Sequence, residues 1–420
     1  MKKYRINSGV NLVILPTTQF KTLHIAVDFV APALTSNISA RSLLSYLMAV
    51  SARRYPTQQD VAQKTIDLYG AQYQTDVYRF GQTHHLRVTM QLPAPDYVSD
   101  GSNLLVSAFD FLKDMMFDPL VGEQKFDDDV FAKEKQSLIN ELESISDDKS
   151  RYAISQLRNI TYDVPNLQSS SAGDIDLVKN LTSESVYTTY KNMITNDLVN
   201  IVVLGDVNDS EVASLVSGWS VPARRLPFLQ PFYRQALRPA TVEKEKHLQD
   251  INQAMLTLAM HLDVPPLDKQ RFAAMVMNAL LGGSPLSKLF MNVREKASLA
   301  YSIYSKWQYD TGFLLIAAGL DADKVAQTEK MIHQEILAMQ NGDFDEKVVA
   351  SIKKSLINDY LSQQDSPNSQ IEIAFSRLLT GSETSEFEWI KQVQAVTSND
   401  IALVAQKLQI QSRFILLPKE

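Results

Sequence analysis

Lys135-Gln136-Ser137-Leu138-Ile139-Asn140-Glu141-Leu142 and Lys353-Lys354-Ser355-Leu356-Ile357-Asn358-Asp359-Tyr360 agree at five of eight positions and lie 218 residues apart (353 less 135). An offset close to half of a 420-residue chain points to two copies of one unit, so partners are expected near the same spacing elsewhere. Thr182-Ser183 and Thr397-Ser398 are such partners, 215 residues apart (397 less 182), and each can cap a helix start through its side-chain oxygen. Each leads through a helical stretch to an apolar run, Ile201–Leu204 in the first copy and Phe414–Leu417 in the second. Tyr69–Val88 and Leu299–Ile316 both read as paired short strands around a turn containing Gly81 or Gly312. The helices that follow carry matching apolar stripes: Leu105, Phe109, Leu112 and Met116, then Thr328, Ile332, Ile336 and Met339 before the stop signal Asn341-Gly342.

The pattern predicts an α+β fold of two homologous domains, each a mainly antiparallel sheet with helices packed on one face. Residues 1–217 and 250–420 are expected to form them. Residues 218–249, with Pro222, Pro227, Pro231, Pro239 and the basic pair Arg224-Arg225, read as an extended linker. The length favours the same division, since single cores stop growing at roughly 250–300 residues.

Composition narrows the function. A net charge of −7 and a pI near 5.5 oppose the basic footprint that phosphate backbones require, so nucleic acid is not an expected partner. The absence of cysteine excludes thiolate nucleophiles, disulfides and cysteine metal sites, and suits a cytoplasmic protein. No apolar run approaches the 18 or so residues of a membrane span, and Val10–Leu15 is too short for a secretion signal.

Motifs for chemistry are sparse. A zinc peptidase helix needs two imidazoles on one face, and the six histidines do not supply them: His84 and His85 are neighbours on a predicted strand and point to opposite faces, while His24, His247, His261 and His333 are isolated. Leu281-Gly282-Gly283-Ser284 lacks the spacing of a phosphate loop and reads as a turn between helices. Glu134 and Glu141 share a helix face, which suits a metal ligand and its support or, more blandly, a solvated surface. Asp127-Asp128-Asp129 marks a helix N-terminus.

The stretch from Leu281 to Ser302, with Leu-Gly-Gly, Ser287-Lys288-Leu289-Phe290 and Arg294-Glu295-Lys296-Ala297-Ser298-Leu299-Ala300-Tyr301-Ser302, resembles the pitrilysin/insulinase family of zinc metallopeptidases, which includes the mitochondrial processing peptidase. Ser298 stands where that family usually has glycine. The family is itself a duplicated α+β unit, so the resemblance extends over nearly the whole chain. Arg54-Tyr55-Pro56 resembles the family's Lys-Tyr-Pro and registers its inverse zinc motif, His-x-x-Glu-His, over Ser42-Leu43-Leu44-Ser45-Tyr46. Both histidines and the catalytic glutamate are therefore missing, while Glu134 and Glu141 match the family's supporting and third-ligand acids.

The resemblance implies that Arg294 and Tyr301 hold peptide and stabilise a tetrahedral intermediate, chemistry a guanidinium and a phenol can perform. It further implies a non-catalytic subunit without a cofactor of its own. Such a subunit would pair with a zinc-bearing homologue around a closed chamber and help bind an unfolded or short peptide. A purely architectural or peptide-binding subunit is the alternative, and an isolated chain could self-associate. More narrowly, the chain resembles a bacterial branch associated with aminopentanol modification of elongation factor P.

Overall fold

The computed structural model describes residues 1–224, 229–248 and 251–419. The chain forms two compact units, one of Met1–Ser144, Ser170–Pro231 and Ser366–Gly381, the other of Ile145–Ser169, Phe232–Asp365 and Ser382–Glu420. Neither unit is therefore one continuous half of the sequence.

The first unit contains β1 (Lys2–Asn7), β2 (Val10–Pro16), β3 (Thr22–Pro32), β4 (Gln72–Phe80), β5 (Thr83–Pro93), the short hairpin β6 (Val121–Gly122) and β7 (Lys125–Phe126), and β8 (Leu198–Gly205). Its main sheet has the order β1-β2-β8-β3-β5-β4, antiparallel except for β2 beside β8. The second unit contains β9 (Val242–Leu248), β10 (Ala254–His261), β11 (Ser302–Gln308), β12 (Phe313–Leu320) and β13 (Gln409–Pro418), in the order β11-β12-β10-β13-β9. Here too a single pair, β13 and β9, runs parallel. The order β4-β5-β3-β8-β2 thus repeats strand for strand as β11-β12-β10-β13-β9, and the mixed α+β duplication read from the sequence is the observed fold.

The expected linker is more structured than its prolines suggest. Arg225, Pro227 and Gln249 lie outside the described residues, but β9 falls inside 218–249 and is the counterpart of β2. Its residues Val-Glu-Lys-Glu-Lys-His-Leu are nearly all exposed at the sheet edge, so no apolar alternation marks the strand. Ahead of it, Arg224 is buried and donates to the carbonyls of Ile194 and Asp197 at 2.7 and 2.8 Å.

Period-2 alternation assigns the faces. In the first sheet the larger helical layer, including Thr35–Val50 and Gly101–Phe117, covers one face. Val13, Ala26, Val202 and Leu204 point the other way and pack under Ile371, Ala374 and Phe375 of the helix Pro367–Thr380. In the second sheet, Met255, Ala259, Phe313, Leu315, Phe414 and Leu416 pack with Ala153 and Leu157 of the helix Lys149–Thr161. The expectation of helices on one face describes the larger layer; a single helix lies on the opposite face of each sheet.

The repeat motif owes its lysine to a half-buried task. Lys135 Nζ donates to the carbonyls of Lys179 and Leu181 at 2.7 and 2.9 Å, and Lys353 Nζ to those of Gln394 and Val396 at 2.5 and 2.7 Å. Both acceptor pairs immediately precede the capped helices Ser183–Asn196 and Ser398–Ala405, whose Thr182 and Thr397 cap as expected. Replacing Lys353 by Met should lower the free energy of unfolding by about 1–3 kcal/mol, because the bonds are charge-assisted and the carbonyls lose their donor. Urea denaturation measures it, and Lys135→Met should behave alike.

Two backbone positions explain the glycine-rich signature. The Leu281-Gly282-Gly283 stretch is a widened helical turn, Ala279–Gly283, rather than a loop between helices. A Cβ on Gly282 would stand 2.6 Å from the Ser305 nitrogen, so the close approach to β11 requires glycine. After the helix Leu289–Lys296 the chain reverses at Ser298, which adopts φ = 50°, the left-handed region. Leu299 N–H and Ser298 N–H then bond the carbonyls of Val293 and Arg294 at 3.0 and 3.1 Å. Ser298→Gly should raise stability by up to about 1 kcal/mol, whereas Ser298→Val should cost about 1–2 kcal/mol through its β-branch. Thermal unfolding of both variants checks the sign.

Candidate functional site

In the first unit, Ser42, Ser45 and Tyr46 occupy the middle of the helix Thr35–Val50. Ser42 Oγ is buried with no hydrogen-bond partner among the described residues, and Ser45 Oγ donates to the Ser42 carbonyl at 2.7 Å. Tyr46 carries its hydroxyl to Glu141, which projects from the helix Asp128–Ser144. Two of the positions singled out in the sequence are thus neighbours in space. Glu134, one face position earlier on the same helix, is buried and only loosely paired with Lys133 at 3.9 Å. Burial raises its pKa above the usual carboxylate range, so the reading of a solvated Glu pair fails for Glu134.

This donor set does not fit zinc. Serine and tyrosine hydroxyls do not replace neutral imidazoles, and Ser45 offers no carboxylate to activate a water. Among the described residues no three His, Asp or Glu side chains converge as a metal would require.

His84 and His85 are committed elsewhere, on opposite faces of β5 as expected. Arg41 Nε donates to His84 Nδ1 at 3.1 Å, which leaves His84 Nε2 to face the Ser171 carbonyl at 2.9 Å. Burial, with the Arg41 charge beside it, holds His84 well below the ordinary histidine value. His85 stacks on Tyr78 with ring centroids 4.3 Å apart and bonds Thr83 and Asp28. The ion pair that fixes this region, Arg41 to Asp197 at 2.5 Å, could not be foreseen because its members are 156 residues apart.

In the second unit, Arg294 lies in the helix Leu289–Lys296 with its guanidinium 4.6 Å from the Phe290 ring centroid and 3.7 Å from Glu295. Tyr301 follows the Ser298 turn, and its N–H bonds the Gly319 carbonyl at 2.8 Å. Its ring is about half exposed, and its hydroxyl donates to Asp321 Oδ1 at 2.6 Å. Lys324 holds the other Asp321 oxygen at 2.9 Å. The bond to Asp321 raises the Tyr301 pKa, and the bonds from Tyr301 and Lys324 lower that of Asp321. Arg294 and Tyr301 flank one turn without a hydrogen bond between them. Asp321 was not singled out from sequence, yet the hairpin could have located it: Ser302 pairs with Gly319, which sets Tyr301 beside the end of β12.

Residues 180–356 match the family model described as the peptidase M16 inactive domain. The chain is 28% identical over 414 residues to "Probable inactive metalloprotease YmfF" of Bacillus subtilis, covering 98% of this chain and 96% of that protein. A conserved protein from Enterococcus faecalis superposes with a TM-score of 0.95 at 31% identity, covering 100% of this chain and 98% of that one. A peptidase M16 inactive domain from Pseudomonas fluorescens shares the fold at a TM-score of 0.80 and 16% identity, covering 100% and 98%. With its duplicated mixed sheets and its Leu281–Ser302 signature, the chain is similar along nearly its whole length to an inactive-type metalloprotease, and its residues 180–356 carry the peptidase M16 inactive domain.

Proposed function

We propose that this protein is the non-catalytic subunit of a divided M16 peptidase, pairing with a zinc-bearing homologue and presenting Arg294 and Tyr301 to a peptide substrate. The observation that carries the reading is the contrast between the two sites. On the expected zinc helix Tyr46 is bonded to Glu141, while the Arg294 guanidinium and the Tyr301 phenol, the latter donating to Asp321, lie within solvent's reach on either side of one sharp turn. A guanidinium and a phenol suit peptide carbonyls and a developing oxyanion. Zinc belongs to the partner in this arrangement, the substrate is an unfolded or short peptide, and the cytoplasm is the proposed compartment for a cysteine-free chain. No helix among the described residues is long and apolar enough to cross a membrane.

A second reading rests on Tyr301 itself. Its hydroxyl is held by Asp321, which Lys324 holds in turn, so the pair could serve only the fold of an architectural subunit. Peptide cleavage by the assembled pair separates the two. Arg294→Ala and Tyr301→Phe should each reduce kcat/KM by about 10–1,000-fold with assembly intact, the range expected when a transition-state donor is lost. Unchanged cleavage by both variants leaves the architectural role.

The zinc helix yields its own expectation. The isolated native chain should retain no stoichiometric zinc after dialysis. Ser42→His with Tyr46→His places two imidazoles at i and i+4 beside a freed Glu141, and the double variant should bind about one equivalent by elemental analysis. Failure of a well-folded double variant would show that the helix and Glu141 have drifted from ligand geometry.

A further inference from the structure

The helix Lys149–Thr161 brings a cation to the second sheet without bringing it an acid. Arg158 lines a pocket of about 30 Å³ with Ile154, Leu157, Phe313, Leu315 and Gln308. It is half-buried, and among the described residues no carboxylate pairs with its guanidinium. Burial lowers its pKa, with Tyr162 the one opposing influence. The corresponding sheet face in the first unit is handled differently. There Arg87 binds Asp28 at 2.6 and 2.9 Å, bonds Glu372 of the helix Pro367–Thr380, and lies 4.3 Å from the Phe375 ring centroid. One sheet-covering helix thus supplies an acid to a buried arginine, and the other supplies an arginine to an apolar sheet face.

A desolvated guanidinium with no partner costs stability unless something else satisfies it. The pocket holds a second donor. The Tyr162 hydroxyl lies 3.1 Å from Gln308 Oε1 and 3.0 Å from Thr311 Oγ1, and the Gln308 NH₂ has no acceptor among the described residues. Two donor groups therefore converge over an apolar floor of Phe313, Leu315 and Ala259. The volume suits a group of two or three heavy atoms, since one water occupies roughly 10–15 Å³ by this measure. A carboxylate has that size, takes a guanidinium side-on through two oxygens, and can leave an attached apolar group on the floor.

We infer that Arg158 and Gln308 form a carboxylate-binding site on the second sheet, for an acid group carried on an apolar stem. The inference is independent of the zinc partner, because every residue it uses lies in this chain. A peptide C-terminus and a small free carboxylic acid share this chemistry.

Titration of the isolated full chain tests it, followed through the Arg158 Nε–Hε resonance by NMR, with sodium chloride at equal ionic strength as reference. One arm adds sodium butyrate. The other adds a leucine-terminated pentapeptide, with a free or an amidated C-terminus. Saturable shifts with butyrate or the free-ended peptide, absent with chloride and with the amidated peptide, are expected. Their relative affinities tell which source the site prefers. Charge-assisted bonds of this kind imply about a 10-fold or larger loss of affinity in Arg158→Met and a smaller loss in Arg158→Lys, which keeps the charge without the fork. Gln308→Leu should weaken binding with the fold unaltered, and provides the test should Arg158→Met not fold. No saturable response to any carboxylate, or equal responses to chloride and butyrate, would overturn the assignment.

Discussion

A strand buried on both faces has to be covered twice, and β3 and β10 are such strands: nearly every residue of β3 and every residue of β10 is buried. Their near-continuous apolar runs, Leu23–Ala31 and Ala254–Met260, leave no face for water. The larger helical layer covers one side of each sheet, and the other side is closed by one helix taken from the opposite half of the chain. Ile371, Ala374 and Phe375 close the first sheet, and Ala153 and Leu157 help close the second. At about 1.5–3 kcal/mol for each large apolar side chain fully buried, those few contacts are a sizeable part of a marginal total. The two halves of this sequence are for that reason not independent folding blocks.

The duplication has kept the scaffold and released the side chains. The lysine of the Lys-x-Ser-Leu-Ile-Asn repeat survives in both copies because two carbonyls depend on it at each site. Away from such fixed points the copies diverge. Behind the first sheet a closed network joins Asp28, Arg87, Tyr78 and Glu372, and its hydrogen bonds and charges hold the Asp28 carboxyl below the usual range against the cost of burial. Behind the second, no acid among the described residues pairs with Arg158. A fully paired network rigidifies, whereas an unpaired buried donor is a demand for a ligand.

What could be read in advance follows the range of the interactions involved. Caps, hairpin turns and amphipathic stripes are local, so Thr182, Thr397, Gly81, Gly312 and the Met116 and Met339 stripes took their expected places. Strand β9 did not announce itself, because an exposed edge strand of alternating Glu and Lys has no apolar period to detect. The exchanged helices were equally hidden: amphipathicity tells that Lys149–Thr161 and Pro367–Thr380 have an apolar face, not which sheet receives it. Of the candidate site, the shared helix of Ser42, Ser45 and Tyr46 follows from their spacing, whereas the meeting of Tyr46 with Glu141, 95 residues away, does not. The burial of Glu134, the Arg41–Asp197 pair and the Tyr301–Asp321–Lys324 chain required the fold.

On the proposed reading, the bond from Tyr46 to Glu141 gives the absence of a zinc site a physical form. A carboxylate left by a departed metal is an acceptor in search of a donor, and a phenol on the facing helix provides one. Once that bond exists, regaining a single histidine is of little use, since a metal needs both imidazoles and the acid free at the same time. Intermediate sequences would carry neither the zinc nor the full helix-to-helix bond. The second copy carries a phenol-to-carboxylate bond of its own, from Tyr301 to Asp321. Tyr301 is tethered through Asp321 at an exposed hairpin end, where water and a competing acceptor can reach the same hydroxyl, and the Arg294 guanidinium nearby is also partly exposed.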